Sequence, residues 1–515
     1  MVTNGLGRDG LSRQRPRKGG TLVVGLPSEE QGFNPTTGRF DTAGFVIARC
    51  IYDPLLAIGA AGQVVPYLAR SIRSNADATR WELTLRSGIE YHDGTPLTAK
   101  AMVEGFQAGL ESPLAGIAIQ PLVEGAEQTG ELSWTVIMKK PWVSFPYTYA
   151  ATQIAFVASP SMRDLPEQGS AHPIGTGPYV FEEWVPNDHL SVKANPRYWR
   201  PGLPHLDRIV FKPIPDDGAR TQALESGAVD LIISGDASVI QRYRRQRRFS
   251  YVSDEGRMVG SPNVSCLMLN TSKPPFDDIA ARRILATGIS AQAYSKVIDR
   301  GINAPANGIY QPGSPFHSTV PYPRYNRDKA KQLAQAYAKK HGHPLRFESI
   351  GVATAASVRQ GDYIRQVLRD IGVELTVKQM STNEVISHAL DGSFEAVGWQ
   401  SFGGIYPDLN YIWFSPTTIR PSGMSLNMAR NADPQIQQAF ETAMASKDPK
   451  VVRRAYAKVN ERLAVDLPYI WVTRATWAVV SAPTVQNWAG PTAPSGARLL
   501  GMDQGVIWLG QSFLS

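Results

Sequence analysis

The sequence predicts an α/β protein whose sheets are partly parallel. Helical and strand-like segments alternate regularly through the second half of the chain, the pattern of layered α/β folds. Hydrophobic residues make up 43% of the 515 residues and charged residues 19%, which supplies large cores and is too little charge for a disordered chain. No uninterrupted apolar stretch approaches the roughly 18–20 residues that a membrane-spanning helix needs.

The first half of the chain is predicted to be rich in strands, because apolar and polar residues alternate with a period of two. Strands are predicted over Thr21–Leu26, Trp81–Leu85, Leu132–Met138, Tyr179–Trp184, Leu190–Lys193, Ile209–Pro213 and Val229–Ile233. Helices are predicted over Ala43–Ile51 and Arg220–Ser226. Asp93-Gly94 is predicted to form a tight turn, and Thr95 to cap a helix that runs from Pro96 to Leu110. His92 is then a packed turn residue rather than a catalyst.

In the second half of the chain, the sequence pattern predicts alternating helices and strands. The helices are Ile279–Ile289, Tyr294–Arg300, Lys329–Lys340 and Gly361–Asp370, and the strands are Leu345–Ile350 and Val373–Lys378. Gly342 and Gly372 follow two of these helices, where a C-terminal glycine is favoured.

The net charge of +8 raises the question of a nucleic-acid partner. The charge concentrates in two clusters, which are Arg13, Arg15, Arg17 and Lys18, and Arg242, Arg244, Arg245, Arg247 and Arg248. A nucleic-acid groove favours interleaved aromatic side chains, and only Tyr243 lies inside the second run. We interpret this run as a solvated helix face and predict no nucleic-acid partner. The competing hypothesis is a nucleic-acid or anionic-surface binder that uses Arg242–Arg248.

Metal and catalytic motifs are missing from the sequence. Cys50 and Cys266 are the only cysteines, and His341 with His343 is typical of a solvated loop. Gly5-x-Gly7-x-x-Gly10 has no strand before it, so it is not a dinucleotide site, and Asp216-Asp217 reads as a turn. We therefore expect no metal, no cofactor and no enzymatic activity, and a hydrolase using a cleft is the alternative.

Residues 1–18 are rich in Gly, Arg and Ser and predict a disordered basic arm. They contain no apolar core of a signal peptide. On this evidence the protein is either cytoplasmic or a processed form of a longer precursor.

Several loops rich in Gly, Pro, Asp and aromatic residues follow one another in a characteristic order. They include Ile51-Tyr52-Asp53-Pro54-Leu55, Val65-Pro66-Tyr67-Leu68-Ala69, Tyr91-His92-Asp93-Gly94-Thr95-Pro96, Gly175-Thr176-Gly177-Pro178-Tyr179, Asn195-Pro196-Arg197-Tyr198-Trp199, Leu269-Asn270-Thr271, Pro275-Phe276-Asp277-Asp278, Gly398-Trp399 and Tyr406-Pro407-Asp408. This series resembles the family 5 extracellular solute-binding proteins of ABC importers, the oligopeptide, dipeptide and nickel-binding group. The resemblance runs from Gly19 to the C-terminus.

The resemblance implies a fold of two α/β lobes, the type II, cluster C periplasmic-binding-protein fold, with a hinge of two crossing strands and an extra inserted domain. Lobe I would combine residues 19–54, 174–262 and 478–515, the inserted domain would be 55–173, and lobe II would be 263–477. Periodicity alone does not reveal the discontinuous lobe.

The resemblance also implies the function. The lobes would close over a small solute and deliver it to a membrane permease. The protein would act outside the cytoplasm, in the periplasm or at the cell surface with a lipid anchor on the full precursor, and as a monomer.

The resemblance places ligand-binding residues in both lobes. In lobe II they are Trp399, Gln400, Phe402, Tyr406, Asp408 and, as an alternative to a core role, Trp413. In lobe I they are Arg39, Phe40, Asp41, Ser234 and Asp236, of which Asp236 could equally cap the following helix.

One departure concerns the ligand. Peptide-binding relatives carry an aspartate after the Gly-Trp pair, which pairs with the peptide's α-ammonium. Here the aligned position is Ile405 or Phe402, and Asp408 substitutes only if its loop bends inward. A buried ammonium without a carboxylate costs several kcal/mol. Peptides are thus the family default, and an opine, a sugar-like or an acidic solute is the alternative.

Overall fold

The chain folds into two compact units. A computed structural model describes residues 15–38, 40–112, 116, 119–164, 170–255, 259–260 and 262–515. The first unit comprises Met1–Val259 and Thr476–Ser515, and the second is Gly260–Ala475. The family resemblance predicts the boundaries between lobe I and lobe II at 262/263 and 477/478. The separation of residues 55–173 as an inserted domain stays a prediction.

The strands are β1 (Thr21–Leu26), β2 (Leu56–Ile58), β3 (Val64–Pro66), β4 (Ala69–Ser74), β5 (Arg80–Leu85), β6 (Val123–Gln128), β7 (Ser133–Met138), β8 (Tyr179–Val185), β9 (His189–Ala194), β10 (Arg208–Pro213), β11 (Leu231–Ser234), β12 (Ser250–Ser253), β13 (Val264–Leu269), β14 (Ala304–Pro305), β15 (Arg346–Val352), β16 (Glu374–Met380), β17 (Ala396–Ser401), β18 (Tyr469–Arg474), β19 (Ala478–Ser481), β20 (Val485–Gln486), β21 (Met502–Asp503), β22 (Val506–Ile507) and β23 (Phe513–Leu514).

The helices are α1 (Thr42–Ile51), α2 (Ala99–Glu111), α3 (Thr148–Ala151), α4 (Pro160–Asp164), α5 (Asp217–Ser226), α6 (Ala237–Tyr243), α7 (Ile279–Gly288), α8 (Ala291–Val297), α9 (Arg327–His341), α10 (Ala355–Arg369), α11 (Thr382–Asp391), α12 (Tyr411–Phe414), α13 (Pro434–Met444) and α14 (Pro449–Asp466). Among the described residues, none of these helices is long and apolar enough to cross a membrane.

The first unit is built on a seven-stranded sheet with the order β12-β19-β11-β1-β10-β9-β8. β1 is parallel to β10 and β11, and β19 is antiparallel to β11 and β12. Leu22 and Val24 of β1 and Val46 of α1 are fully buried in the core of this unit. Burying each such side chain contributes about 1.5–3 kcal/mol, which holds α1 against the sheet.

Residues 69–138 add a separate four-stranded sheet with the order β4-β5-β7-β6, whose neighbouring strands are antiparallel. The helix beside it, α2, begins at Ala99 and not at Pro96, so the predicted start is wrong. Pro96 pairs with Glu90 in an isolated bridge, and the Leu97 N–H donates to Ile89 O at 2.9 Å. Thr98 is therefore the N-cap, and its hydroxyl accepts from the Ala101 N–H.

The second unit contains a six-stranded sheet with the order β14-β18-β13-β17-β15-β16. β15 is parallel to β16 and β17, while β13 is antiparallel to β17 and β18. The partly parallel α/β architecture that the sequence predicts is confirmed. A second apolar core, which includes Leu285, Leu368 and Ile470, packs the helices on this sheet.

Two of the sequence motifs meet in the first unit around Asp53. The carboxylate of Asp53 is 1% exposed and accepts hydrogen bonds from Trp199 Nε1 at 2.7 Å and from Tyr198 Oη at 3.0 Å. Arg200, the next residue, donates to Tyr67 Oη at 2.9 Å. Burial raises the pKa of Asp53 to about 7, despite the two hydrogen bonds that favour its charged form.

His92 links two further motifs. Its Nδ1 accepts from the Gly175 N–H at 3.3 Å, and its Nε2 lies 3.0 Å from Gly177 O. Burial lowers the pKa of His92 to about 4, so the ring is neutral and donates through Nε2. The ring thus ties the turn at Asp93-Gly94 to the loop before β8.

Candidate functional site

The candidate residues of the second unit follow β17, a central strand. Trp399 pairs with Cys266 and Gln400 with Ser265 of β13, near the carboxyl end that β17 shares with its parallel neighbour β15. Ligands in open α/β sheets bind outside the carboxyl ends of strands. Trp399 is half-buried and Gln400 is exposed at this edge.

Trp399 carries a polar group that the fold does not satisfy. Its indole Nε1 is buried and has no hydrogen-bond partner in the part of the chain that the structure describes. A buried donor without a partner costs about 1–3 kcal/mol. The described residues therefore leave this indole N–H without an acceptor.

Phe402 is a packing residue in this structure. Its side chain is 1% exposed, and its ring lies 4.9 Å from that of Tyr469 and 5.0 Å from that of Phe414. Its backbone has a φ of 69°, which turns the chain sharply at the end of β17. Trp413 is half-buried beside the same ring, with its centroid 6.5 Å away.

Tyr406 and Asp408 belong to a neighbouring aromatic cluster. The half-buried ring of Tyr406 packs on Phe316 at 5.6 Å and on Tyr456 at 6.3 Å. Asp408 is 4% exposed in the 3-10 turn Pro407–Asn410. Burial, followed by the charge of Asp408, raises the pKa of Tyr310 above its usual range, which places the carboxylate near this cluster.

Arg474 is a buried cation that the sequence did not single out. Its guanidinium donates to the carbonyls of Gly308 at 2.8 Å, Ile309 at 2.5 Å and Tyr310 at 3.0 Å. Its Nε is buried without a partner, and no carboxylate within the described ranges forms an ion pair with it. Burial lowers the pKa of Arg474 to about 10, so it keeps its charge at neutral pH.

In the first unit, the predicted residues near α1 separate into capping and core roles. Asp41 caps α1 by accepting from Ala43 N at 2.7 Å and Gly44 N at 3.1 Å. Phe40 is 8% exposed, and its ring packs on Phe45 at 5.9 Å. Arg39 lies outside the described residues, as do Arg13 and the Gly5-x-Gly7-x-x-Gly10 pattern.

Glu30 is a neighbour of Asp41 that sequence reasoning missed. It is 7% exposed, and its Oε1 accepts from the Asp41 N–H at 3.4 Å. Burial, and after it the Asp41 carboxylate, raises the pKa of Glu30 to about 9. Glu30 is therefore protonated at neutral pH and shares a hydrogen bond with Asp41.

Ser234 and Asp236 lie at the carboxyl end of β11 and bond within the fold. Ser234 Oγ donates to Asp217 Oδ1 at 2.7 Å, and Asp217 forms an ion pair with Arg220. Asp236 caps α6, since its Oδ1 accepts from Ser238 N at 2.8 Å. Of the two roles that the sequence left open for Asp236, the capping role is observed.

Trp477 lies at the same edge and was not predicted. A Cβ built on Gly235 would lie 3.5 Å from the indole ring, and one on Gly505 would lie 2.8 Å from it and 3.0 Å from Thr42. The two glycines thus bring the ring close to the backbone beside the start of α1. Its Nε1 is buried and, within the described ranges, has no partner. The local sequence offers no signal for this position, because both glycines are distant in the chain.

No cluster of three or more His, Cys, Asp or Glu that could hold a metal ion occurs among the described residues. Arg242, Arg244, Arg245, Arg247 and Arg248 are exposed on α6 and the loop after it, as the solvated face predicts.

The family model of the bacterial extracellular solute-binding proteins, family 5 Middle, matches residues 63–420. The nickel-binding periplasmic protein of Escherichia coli K12 is 24% identical over 454 residues, which cover 85% of this chain and 86% of that protein.

Two solved structures share the fold. DppA from Helicobacter pylori, in complex with the peptide STSA, has a TM-score of 0.83 and 20% identity, with 97% of this chain and 98% of that chain covered. AgaA from A. tumefaciens R10, in complex with agropinic acid, has a TM-score of 0.81 and 21% identity, with 96% and 99% covered.

Proposed function

Because the chain belongs to the bacterial extracellular solute-binding proteins of family 5, we propose that it captures one small solute outside the cytoplasm and hands it unchanged to the permease of an ABC importer. In the second unit, Trp399 is the central ligand contact. The protein acts as a monomer, either in the periplasm or at the cell surface with a lipid anchor.

The observation that carries this proposal is the unpartnered indole N–H of Trp399. It lies at the carboxyl end of a central strand, where ligands of α/β proteins bind. The N–H of Trp477, at the corresponding end of the first unit's sheet, is buried and has no partner among the residues that the structure describes. Both donors require a ligand with acceptor oxygens, such as a carboxylate, a carbonyl or a hydroxyl.

Peptides are the first ligand class, since DppA holds a peptide. The α-ammonium of a peptide needs a carboxylate to neutralise it. The two positions that align with the relatives' aspartate, Phe402 and Ile405, are apolar and only 1% and 7% exposed. Asp408 would have to pair with the ammonium.

A second ligand class, an acidic solute such as an opine, is favoured by Arg474. Arg474 is 4% exposed and, in the described part of the chain, has no ion pair with a carboxylate. A buried cation of this kind favours an anionic guest. AgaA, with agropinic acid bound, is a relative in fold that holds such a solute. Sugar-like solutes are the remaining alternative, because their hydroxyl oxygens can accept from the same donors.

A thermal-shift screen of peptides, opines, sugars and metal complexes tests the proposal. A ligand at about a hundredfold its dissociation constant adds about 2.7 kcal/mol to the free energy of unfolding. We expect Trp399→Ala to abolish this stabilisation, and Trp399→Phe, which keeps a ring but loses the donor, to weaken binding about tenfold.

Trp184→Phe is the matched control, because Trp184 is also half-buried but donates to Glu29 in the first unit. Ligand-induced stabilisation that is unchanged in Trp399→Ala removes Trp399 from the site. Turnover of any stabilising compound by the purified protein would instead favour the hydrolase alternative.

A further inference from the structure

The two basic clusters of the sequence are far apart in the chain, and their described residues are exposed. Arg15, Arg17 and Lys18 precede β1, and Arg245, Arg247 and Arg248 precede β12. We call these six residues the basic edge. Their placement follows from the sheet register of the first unit.

The register places both clusters at one edge of the seven-stranded sheet. Leu231 of β11 pairs with Val24 of β1 and with Ser481 of β19, and Ser481 also pairs with Ser250 of β12. Since β11 and β12 are both antiparallel to β19, β1, β11 and β12 run in the same direction. The residues before β1 and before β12 therefore lie at the edge where these strands begin. Lys18 is fixed there by its Nζ, which donates to Pro204 O at 2.6 Å.

Two arginines of the basic edge have no ion-pair partner among the described residues, while Arg248 donates to Glu225 O at 3.3 Å. Arg245 and Arg247 form no ion pair or hydrogen bond within the described part of the chain. The acidic groups nearby have other partners: Glu225 binds Arg242 at 2.5 Å, and Asp230 accepts from the Val23 N–H at 2.8 Å. Asp207 accepts from the Gly20 N–H at 3.0 Å.

We propose that the basic edge binds the surface of a bilayer that contains anionic phospholipids. Long arginine side chains without fixed partners, here Arg245 and Arg247, suit a fluid layer of phosphate groups, and each one near such a surface strengthens binding about fivefold. The extracellular work of this family takes place beside a membrane, where the permease lies.

The aromatic residues beside the arginines that precede β12 are not available to stack with nucleic-acid bases. Tyr243 is 1% exposed and Phe249 is 9% exposed, and their rings pack on each other with centroids 5.5 Å apart. No ring in this run is therefore open for stacking with bases.

The basic edge leaves the candidate ligand residues free. Ser234, Asp236 and Trp477 lie at the opposite edge of the same sheet, where β11 ends and β19 begins. Binding to a bilayer and binding of the solute to the first unit are therefore compatible, and they can be measured separately.

Co-sedimentation of the full chain with vesicles tests the proposal. We expect binding to vesicles of phosphatidylcholine with about a third phosphatidylglycerol, no binding to phosphatidylcholine alone, and release when salt rises from about 0.05 M to about 0.5 M. The double variant Arg245→Gln, Arg247→Gln should bind about 25-fold more weakly, from two losses of about fivefold each.

The matched control is Arg70→Gln, Arg73→Gln, which removes the same charge from exposed positions on β4 of the other sheet. Equal weakening in this control, or equal binding to neutral vesicles, overturns the proposal. Tighter binding to duplex DNA or RNA than to vesicles, with the same arginine dependence, assigns the basic edge to nucleic acid instead. Both double variants should keep the solute-induced thermal shift, so a failure here is distinct from a failure of the proposed solute binding.

Discussion

At the scale of single residues, the strongest functional signals are polar atoms that the fold buries without a partner. Trp399 was predicted because the family resemblance places it, and the structure adds that its N–H finds no partner in the described part of the chain. Trp477 and Glu30 were missed, because each becomes notable only through neighbours that are distant in sequence, such as Gly505 and Asp41. The family resemblance predicts that Phe40 and Phe402 face a ligand, and it does not reveal that both side chains are buried.

Asp53 makes stability depend on pH. Its pKa is about 7 in the folded chain and about 3.8 in the unfolded chain, so folding favours the protonated form. The stabilisation it contributes is complete below about pH 3.8 and is lost as pH rises through 7, by at most roughly 4 kcal/mol. Asparagine at this position cannot ionise, so the variant Asp53→Asn does not lose this stabilisation. Its free energy of unfolding should therefore rise relative to that of the wild type between pH 4.5 and 8.

Urea unfolding of both proteins at several pH values in this window measures the difference. Asp77→Asn is the control, because Asp77 is exposed and its pKa is lowered by hydrogen bonds to Thr79. A constant difference between wild type and Asp53→Asn across the window would show that Asp53 titrates as in an unfolded chain.

At the scale of secondary-structure elements, most strands and helices were predictable because they follow local periodicity. β1 and the helix α7 begin where the pattern predicts. The start of α2 was wrong because Pro96 fits the first turn of a helix as well as it fits the bridge with Glu90. Only the fold of the whole loop decides between these two uses of proline.

The true cap of α2 can be tested by substitution. Thr98→Ala removes the side chain that accepts from the Ala101 N–H and should lower the free energy of unfolding by about 1 kcal/mol. Thr95→Ala should lower it less, because Thr95 is exposed and outside the helix. Chemical unfolding of the two variants compares them, and a larger loss in Thr95→Ala would restore the helix start that the sequence predicts.

At the scale of the whole molecule, the discontinuity of the first unit came from the family resemblance and not from periodicity. β19 pairs with β11, some 250 residues earlier in the chain, and no local pattern encodes such a pairing. The second unit, by contrast, is continuous from Gly260 to Ala475 and has its own apolar core.

This difference predicts that the fragment 260–475 folds by itself. It should show a cooperative thermal transition by circular dichroism, since it holds all strands of its sheet and the core that covers them. The fragment 1–475 is the comparison: it lacks β19, so only the transition of the second unit should remain. A fragment 260–475 without a cooperative transition would contradict the independence of this unit.

The position of β19 inside the first sheet sets an order for folding during synthesis. The chain leaves the ribosome or a translocation channel with its N-terminal part first, yet the gap between β11 and β12 stays empty until residues 478–481 emerge. The unit that starts first must therefore finish last, after Gly260–Ala475 is complete. Under the export proposed above, β11 and β12 therefore stay unbridged until almost the whole chain has emerged.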